Sequence, residues 1–505
     1  MLSKGTLEQA ASWINECLSC HEHCIHAGNS SLPTRIIDVG AMNEIYSPKL
    51  VLSDGRQGRY ATLSYCWGGP QESSLTTSTL ADKQKNLSMA ELPRTITDAI
   101  TITRSLGLRY LWIDSLCIIQ DSPSDKAIEI SRMDRIYNSS ILTISAAAAS
   151  SCRAGFLQTC NPPDPWEPYR FSKIDFLCPN GKKGSLYIER SHLYYATREP
   201  LNGRGWALQE RLLSPRLLVF GSWQMYWQCQ SVSHCAGGKM SNFSPDGMER
   251  LSNSFFTDTP ADSGSTYDNW LDIVQEYVRR ALTSPTDKLP ALSGIAARFQ
   301  RILGGMPYRA GHWDADLQRS LSWQVGDPQD SRPAEYRGPT WSWVSVDGDI
   351  FWERRAALSS TTQIISCEIE PLDHRAPLGR VQSGILELQG LVQIFDWDGG
   401  EELYDDAGVP FANIRVDLSQ DVIHDHHKQL QVFHMGRDQE GVNGFARHVA
   451  SIAVTQSTAL VLEQQADGMY LRLGLMDFDF VDGIDFLGGM ERFFVGSRIF
   501  TLSIR

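Results

Sequence analysis

Apolar and polar positions change period most clearly between Tyr60 and Leu157. YATLSY (Tyr60 to Tyr65) is apolar and β-branched, which predicts a buried strand ending at Tyr65. The Cys66-Trp67-Gly68-Gly69-Pro70 tail must then turn, because Gly-Gly-Pro cannot continue a ladder. Pro93 precedes Thr95-x-x-Asp98, the spacing of a capping box. Ile96, Ala99, Ile100, Thr103 and Leu106 fall on one face of the helix that follows, and Gly107 stops it. RYLWIDSLCIIQ has almost no polar alternation, the pattern of a strand buried on both faces. Ser122-Pro123-Ser124-Asp125 opens a second helix running to about Tyr137, and ILTISAAAA supplies a third strand. The β-α-β-α-β order requires right-handed crossovers, so an α/β fold with a mostly parallel sheet is expected. Asp114, Ser115, Cys117, Gln120 and Asp121 then sit at or just past the carboxyl end of the middle strand, where open α/β sheets hold ligands.

Upstream, Thr6 to about Cys24 has the pattern of an amphipathic helix, and LPTRIIDVG and KLVLSDG read as short strands. The polar Gln71 to Met89 stretch predicts a loop. Downstream come a Pro/Cys-rich excursion (Cys152 to Pro168) and a hairpin around Asn180-Gly181. Gly203 to Gln230 predicts a helix broken at Ser214-Pro215, followed by RLLVFG and QMYWQC as a hairpin or two successive strands. Helices return at Tyr267 to Leu282 and Leu289 to Leu303, and GPTWSWVSVDG reads as a strand with two tryptophans on one face. From Gln363 onward strand-like runs alternate with Gly/Asp turns, an all-β pattern of sandwich or barrel type. The expected organisation is an N-terminal helical Cys/His segment (1–31), an α/β domain (32–236) and a linker or large loop (237–266). A helical segment (267–335) and a C-terminal β-rich region (336–505) complete it.

Composition narrows the function. A chain of 505 residues exceeds one ordinary core, and 42% apolar with 21% charged residues describes a globular protein. Its net charge of −13 repels nucleic acid and anionic lipid, so neither is an expected partner. No apolar run approaches ~20 residues, so no membrane span is expected, and the N-terminus lacks the apolar core of a secretory signal. Eleven scattered cysteines fit reduced thiols and a cytoplasmic location. Asp114, inside LWIDSL, must find donors, because burying a carboxylate unpaired costs several kcal/mol. Gln209 and Glu210 lie among large apolar residues, where Glu210 would either pair with Arg204, Arg211 or Arg216 or act on a substrate. Cys17, Cys20, His21, His23, Cys24 and His26 form a cluster of soft ligands. Its spacing is not that of a standard finger and one helix rarely supplies four ligands, so packing cysteines and no metal are expected. His424, His426 and His427 lack completing ligands and read as a solvated loop.

Three segments together resemble the fungal heterokaryon-incompatibility (HET) domain family: LSYCWG (Leu63 to Gly68), LWIDSLCIIQD with MDRIY (Leu111 to Tyr137), and RGWALQERLLSPRLLVF (Arg204 to Phe220). The N-terminal CxxxHxxC-like run, DKLPALSGIA, YRAGHW and PTWSWVS extend the resemblance. It implies non-self recognition ending in programmed cell death, and a distant likeness to TIR domains, whose Rossmann-like α/β sheets can cleave NAD. Trp206 and Glu210 have the TIR spacing of a tryptophan and a catalytic glutamate. Ala207 stands where TIR proteins commonly carry cysteine, and 150–203 form a long insertion. On this reading Ser64, Tyr65, Cys66, Trp67, Gly68, Gln120, Arg204, Trp206 and Gln209 line a ligand crevice, and Glu210, Asp114 and Cys117 carry chemistry. Glu210 would stabilise an oxocarbenium-like transition state, Arg204 and the helix start beside it would take phosphates, and Trp67 would stack on a ring. NAD enters as substrate, with no resident cofactor. The alternatives are a non-catalytic signalling module whose β-rich region binds a protein partner or a second copy, and a metabolite-tailoring enzyme with Cys117 or Cys66 as nucleophile.

Overall fold

The computed structural model describes residues 4–24, 28–41, 46–157, 172–177, 181–188, 199–222, 224–236, 238–239, 251, 255, 263–326, 332–352, 358–397, 402–404, 410–417, 447–454, 458–478, 494 and 497–505. His26, most of the Cys152 to Pro168 excursion, Asn180 and the His424, His426 and His427 triplet lie outside them. The chain divides into two compact units, Met1–Lys126 with Arg135–Phe256, and Ala127–Asp134 with Thr257–Arg505.

The first unit begins with helix α1 (Lys4–Cys20) and strands β1 (Arg35–Asp38), β2 (Lys49–Leu52) and β3 (Tyr60–Ser64). Helix α2 (Arg94–Ser105), strand β4 (Tyr110–Trp112) and helices α3 (Asp114–Cys117), α4 (Pro123–Ile130) and α5 (Met133–Asn138) follow, with Ala127–Asp134, the end of α4 and the start of α5, counted in the second unit. Next come β5 (Leu142–Ser145), the β6–β7 hairpin (Ser172–Leu177 and Lys183–Ile188), α6 (Gly205–Leu213), β8 (Leu217–Phe220), β9 (Met225–Gln228), β10 (Ser233–Cys235) and β11 (Gly238–Lys239). Nine of these strands form one sheet in the order β11-β10-β9-β8-β5-β3-β4-β1-β2.

Only the β8–β5, β5–β3 and β3–β4 pairings are parallel; the outer pairings are antiparallel. The expected mostly parallel sheet is therefore a mixed one, with a parallel core of four strands. The reason is local. Ser214-Pro215 ends α6 and drops the chain straight into β8, whose hairpin returns β9 antiparallel. At the other flank, the hairpin-like β1–β2 pair adds antiparallel to β4. Within the core the spatial order is second, first, third, fourth, so the winding reverses between β3 and β5. In open α/β sheets such a reversal is where ligand crevices form, beyond the carboxyl ends of the strands concerned. Every residue of β3, β5 and β8 is buried, as their unbroken apolar runs require.

Several local expectations are corrected. RYLWIDSLCIIQ is a strand only to Trp112: Asp114 Oδ1 accepts the Ser115 amide at 2.6 Å, and the one-turn helix α3 begins. The helix expected to reach Tyr137 breaks between α4 and α5. Ser122 does open α4, its hydroxyl accepting the Asp125 amide at 3.3 Å. Thr95 and Asp98 do not form a cap box, because α2 already starts at Arg94. Thr95 instead donates to the Ser151 carbonyl at 3.0 Å, and Asp98 accepts the Phe156 and Leu157 amides at 2.8 and 3.2 Å.

The second unit carries helices α7 (Ser263–Tyr277) and α8 (Pro290–Ile302), with Trp270, Phe299 and Trp313 in mutual ring contact. GPTWSWVSVDG is not a strand: Ser342 accepts the Val344 amide and a 3-10 turn forms, with Trp341 and Trp343 fully buried. Strands β12 (Trp323–Val325) and β13 (Ile350–Trp352) pair. The all-β pattern beyond Gln363 becomes β14 (Gln363–Pro371), β15 (Val381–Trp397), β16 (Glu402–Tyr404), β17 (Pro410–Val416), β18 (Arg447–Ala453), β19 (Thr458–Gln464), β20 (Tyr470–Asp477) and β21 (Arg498–Ile504). Pairings run β15–β18–β19–β20, and β21 contacts both β20 and β15, closing a barrel. Among the described residues no helix is long and apolar enough to cross a membrane.

Candidate active site

Three distant segments meet near the carboxyl ends of β3 and β4. Ser64 ends β3, Asp114 opens α3 just past β4, and Arg204 immediately precedes α6, whose Glu210 lies within it. Ser64 donates its hydroxyl hydrogen to Glu210 Oε2. Arg204 Nη1 donates to the Tyr65 carbonyl, and Trp67 Nε1 donates to Asp114 Oδ2 at 2.9 Å. The Tyr65 hydroxyl donates to Ser115 Oγ at 2.7 Å and accepts from Gln71 Nε2 at 2.9 Å. The floor is closed, with Ser64 and Glu210 each 4% exposed, while Trp67, Asp114, Arg204 and Trp206 are half-buried around it. Glu210, Asp114 and Arg204 thus lie close enough for their charges to act on one another.

Burial pushes the Glu210 carboxyl up to about 7; the neighbouring Asp114 charge adds to the rise, and Arg204 and the Ser64 hydroxyl oppose it. Burial also raises Asp114, against the pull of Arg204 and of donors from Ser115 and Trp67. Tyr137, fully buried, is raised well above the ordinary phenol by burial and then by the Glu210 and Asp114 charges, so it stays a protonated donor. Two carboxyls and one guanidinium thus share a poorly solvated hollow, in which the Glu210 carboxyl is the one raised to about 7.

The other expected residues divide by role. Cys66 is buried, and burial pushes its thiol up to about 11, leaving little thiolate at neutral pH. Cys117 is fully buried in α3, and its carbonyl accepts Arg35 Nε at 2.6 Å. Gln120 donates its side-chain amide to the Asp114 and Ile118 carbonyls at 3.2 and 3.0 Å, bracing the α3 turn. Gln209 is fully buried. Gly68 has φ +71, and a Cβ there would stand 2.2 Å from Ser151 Cβ, so glycine is what lets the turn lie against 150–151. Beside Glu210, Ser64, Ser145, Asn202, Ala207 and Arg211 line a cavity of about 10 Å³, room for one water. Sequence reasoning missed Tyr137, Ser145 and Asn202; the MDRIY motif was the one signal that could have drawn attention to Tyr137.

Residues 60–210 match the family model described as Heterokaryon incompatibility protein (HET), and Glu210 is the last residue of the match. No curated protein and no solved structure matches the chain.

Proposed function

Because residues 60–210 match the HET family model, we propose that this protein acts in heterokaryon-incompatibility-type non-self recognition, with cleavage of a nucleotide such as NAD as its output. One observation carries the enzymatic reading: Glu210, beneath the rim made by Asp114 and Arg204, is held near pKa 7. A carboxyl tuned to neutrality and adjacent to a second one is the equipment of glycosidic cleavage. In that reaction the bond between the ribose anomeric carbon and the nicotinamide nitrogen breaks, and nicotinamide leaves with the electron pair. Ionised Glu210 stabilises the positive charge left on the ribose. Water then adds to the anomeric carbon and loses a proton, giving ADP-ribose. Arg204 supplies charge for the phosphates at the rim.

Incubating the full chain with NAD and resolving nicotinamide by chromatography tests this. Glu210→Gln, close in shape, is expected to lower turnover by about 10²- to 10⁴-fold. Equal traces from both proteins would remove the enzymatic reading. The one-water cavity favours the second reading, in which the domain signals through a protein partner and Glu210 is structural. Absence of turnover together with capture of a second copy or partner by the β-rich region supports it.

A further inference from the structure

Away from the crevice, the N-terminal cysteine and histidine residues meet a group that sequence reading did not connect with them. Helix α1 ends at Cys20, so Cys17, His21 and Cys24 do not share one helical face as their spacing suggests. A turn instead folds back, with the Cys24 amide donating to the His21 carbonyl at 3.2 Å. That turn rests on the segment leaving β9. Cys229 completes a set of four in which the ligand atoms of Cys17, His21, Cys24 and Cys229 all lie within 4.8 Å of one another. We propose that these four residues bind a zinc ion that pins α1 to the antiparallel side of the sheet.

The chemistry and spacing agree. Zinc takes four ligands tetrahedrally, with Zn–S of about 2.3 Å and Zn–N of about 2.0–2.1 Å. A tetrahedron with those arms has edges of about 3.5 Å between sulfur and nitrogen and about 3.8 Å between sulfurs. His21 Nδ1 lies 3.4 Å from Cys229 Sγ and 3.8 Å from Cys24 Sγ. Cys17, Cys24 and Cys229 are free thiols and buried, and Cys20, in the same run, is exposed and outside the set. Three thiolates and a neutral imidazole around Zn²⁺ leave one net negative charge. Arg216, 1% exposed, donates from Nε to Cys17 Sγ at 3.1 Å and places a positive charge against it. Glu16 lies 3.9 Å from the other ring nitrogen of His21, the place where carboxylates orient metal-bound imidazoles. All four positions are protein groups, so the site is a structural one. It ties together residues 208 positions apart, a pairing that Trp13 stacked on His234 reinforces.

The test is metal analysis of the full chain purified from zinc-containing medium. About one zinc per chain is expected, falling below about one-tenth in Cys229→Ser and Cys24→Ser and unchanged in Cys20→Ser. Should the serine variants misfold, cobalt exchanged into the wild type gives the second readout. Thiolate-to-cobalt charge transfer with intense tetrahedral d–d bands supports the site. Wild-type protein without zinc, zinc retained in Cys229→Ser, or a disulfide among Cys17, Cys24 and Cys229 found by mass spectrometry would each overturn it.

Discussion

Glu210 differs from an ordinary surface glutamate through its surroundings alone: little solvent, a second carboxyl nearby, and one hydroxyl donor on Oε2. Since its folded value is raised from 4.5 to about 7, the folded state holds the proton more tightly than the unfolded chain does. Its contribution to stability is therefore complete below about pH 4.5 and is lost as pH rises through about 7. Asp114, also raised, works in the same direction. Thermal melts from about pH 5 to about pH 8 should fall for the wild type and flatten for Glu210→Gln, which cannot ionise. Parallel melting curves would show that Glu210 is not the group responsible. Asp114, Arg204 and Glu210 were legible because a charge inside an apolar run has to be compensated by something in the fold. Tyr137 and Cys229 were not, since each earns its role from a neighbour remote in sequence that its own flanking residues do not indicate.

Among the elements, those with strong local instructions came out close to their reading: β3 ends at Ser64, one residue short of the expected Tyr65, α2 stops at Gly107 in its left-handed conformation (φ +71), and α6 ends before Pro215. The failures share a cause. In LWIDSL the apolar run favours a strand, but Asp114 captures the Ser115 amide and turns the backbone into α3. At α2 the motif Thr95-x-x-Asp98 has cap spacing, yet both side chains reach the returning 150s loop instead. Side chains that can serve either their own helix or a neighbouring segment are decided by tertiary context, which no local pattern encodes. Asp98 accordingly gives an element-scale prediction. Removing it in Asp98→Ala strands two amides next to buried Phe156, at about 1–2 kcal/mol. Hydrogen exchange of the Phe156 and Leu157 amides should accelerate about 10- to 30-fold in that variant, with Asp98→Asn intermediate. Half-buried Thr97→Ala, which removes only a bond to the Arg94 carbonyl, should leave both amides unchanged, and equal protection in all three would mean that the loop is held by other contacts.

At the scale of the whole molecule, the alternating runs beyond Gln363 announced strands but not their closure, because β21 joins β15 across more than a hundred residues. Closure removes exposed edges from the ring, but it leaves the problem of fixing what packs against the barrel. Arg472 on β20 does this within the second unit. Its guanidinium, with no exposed surface, donates to Asp417 at 2.9 and 3.3 Å, to the Leu321 carbonyl at 2.6 Å and to the Trp323 carbonyl at 2.5 Å. It also lies 3.5 Å over the Trp323 ring, so one side chain joins the barrel to β12. Arg472→Met deletes all of these contacts and leaves the Asp417 carboxylate buried, with Arg332 3.9 Å away. Breaking one side of a buried pair costs about 3–5 kcal/mol, whereas replacing both partners with apolar groups costs far less. Exchange protection across β19 and β20 should therefore drop sharply in Arg472→Met and recover in large part in Arg472→Met with Asp417→Leu. If the double variant is no better than the single one, the carbonyl and ring contacts of Arg472, rather than the stranded charge, hold β12 to the barrel.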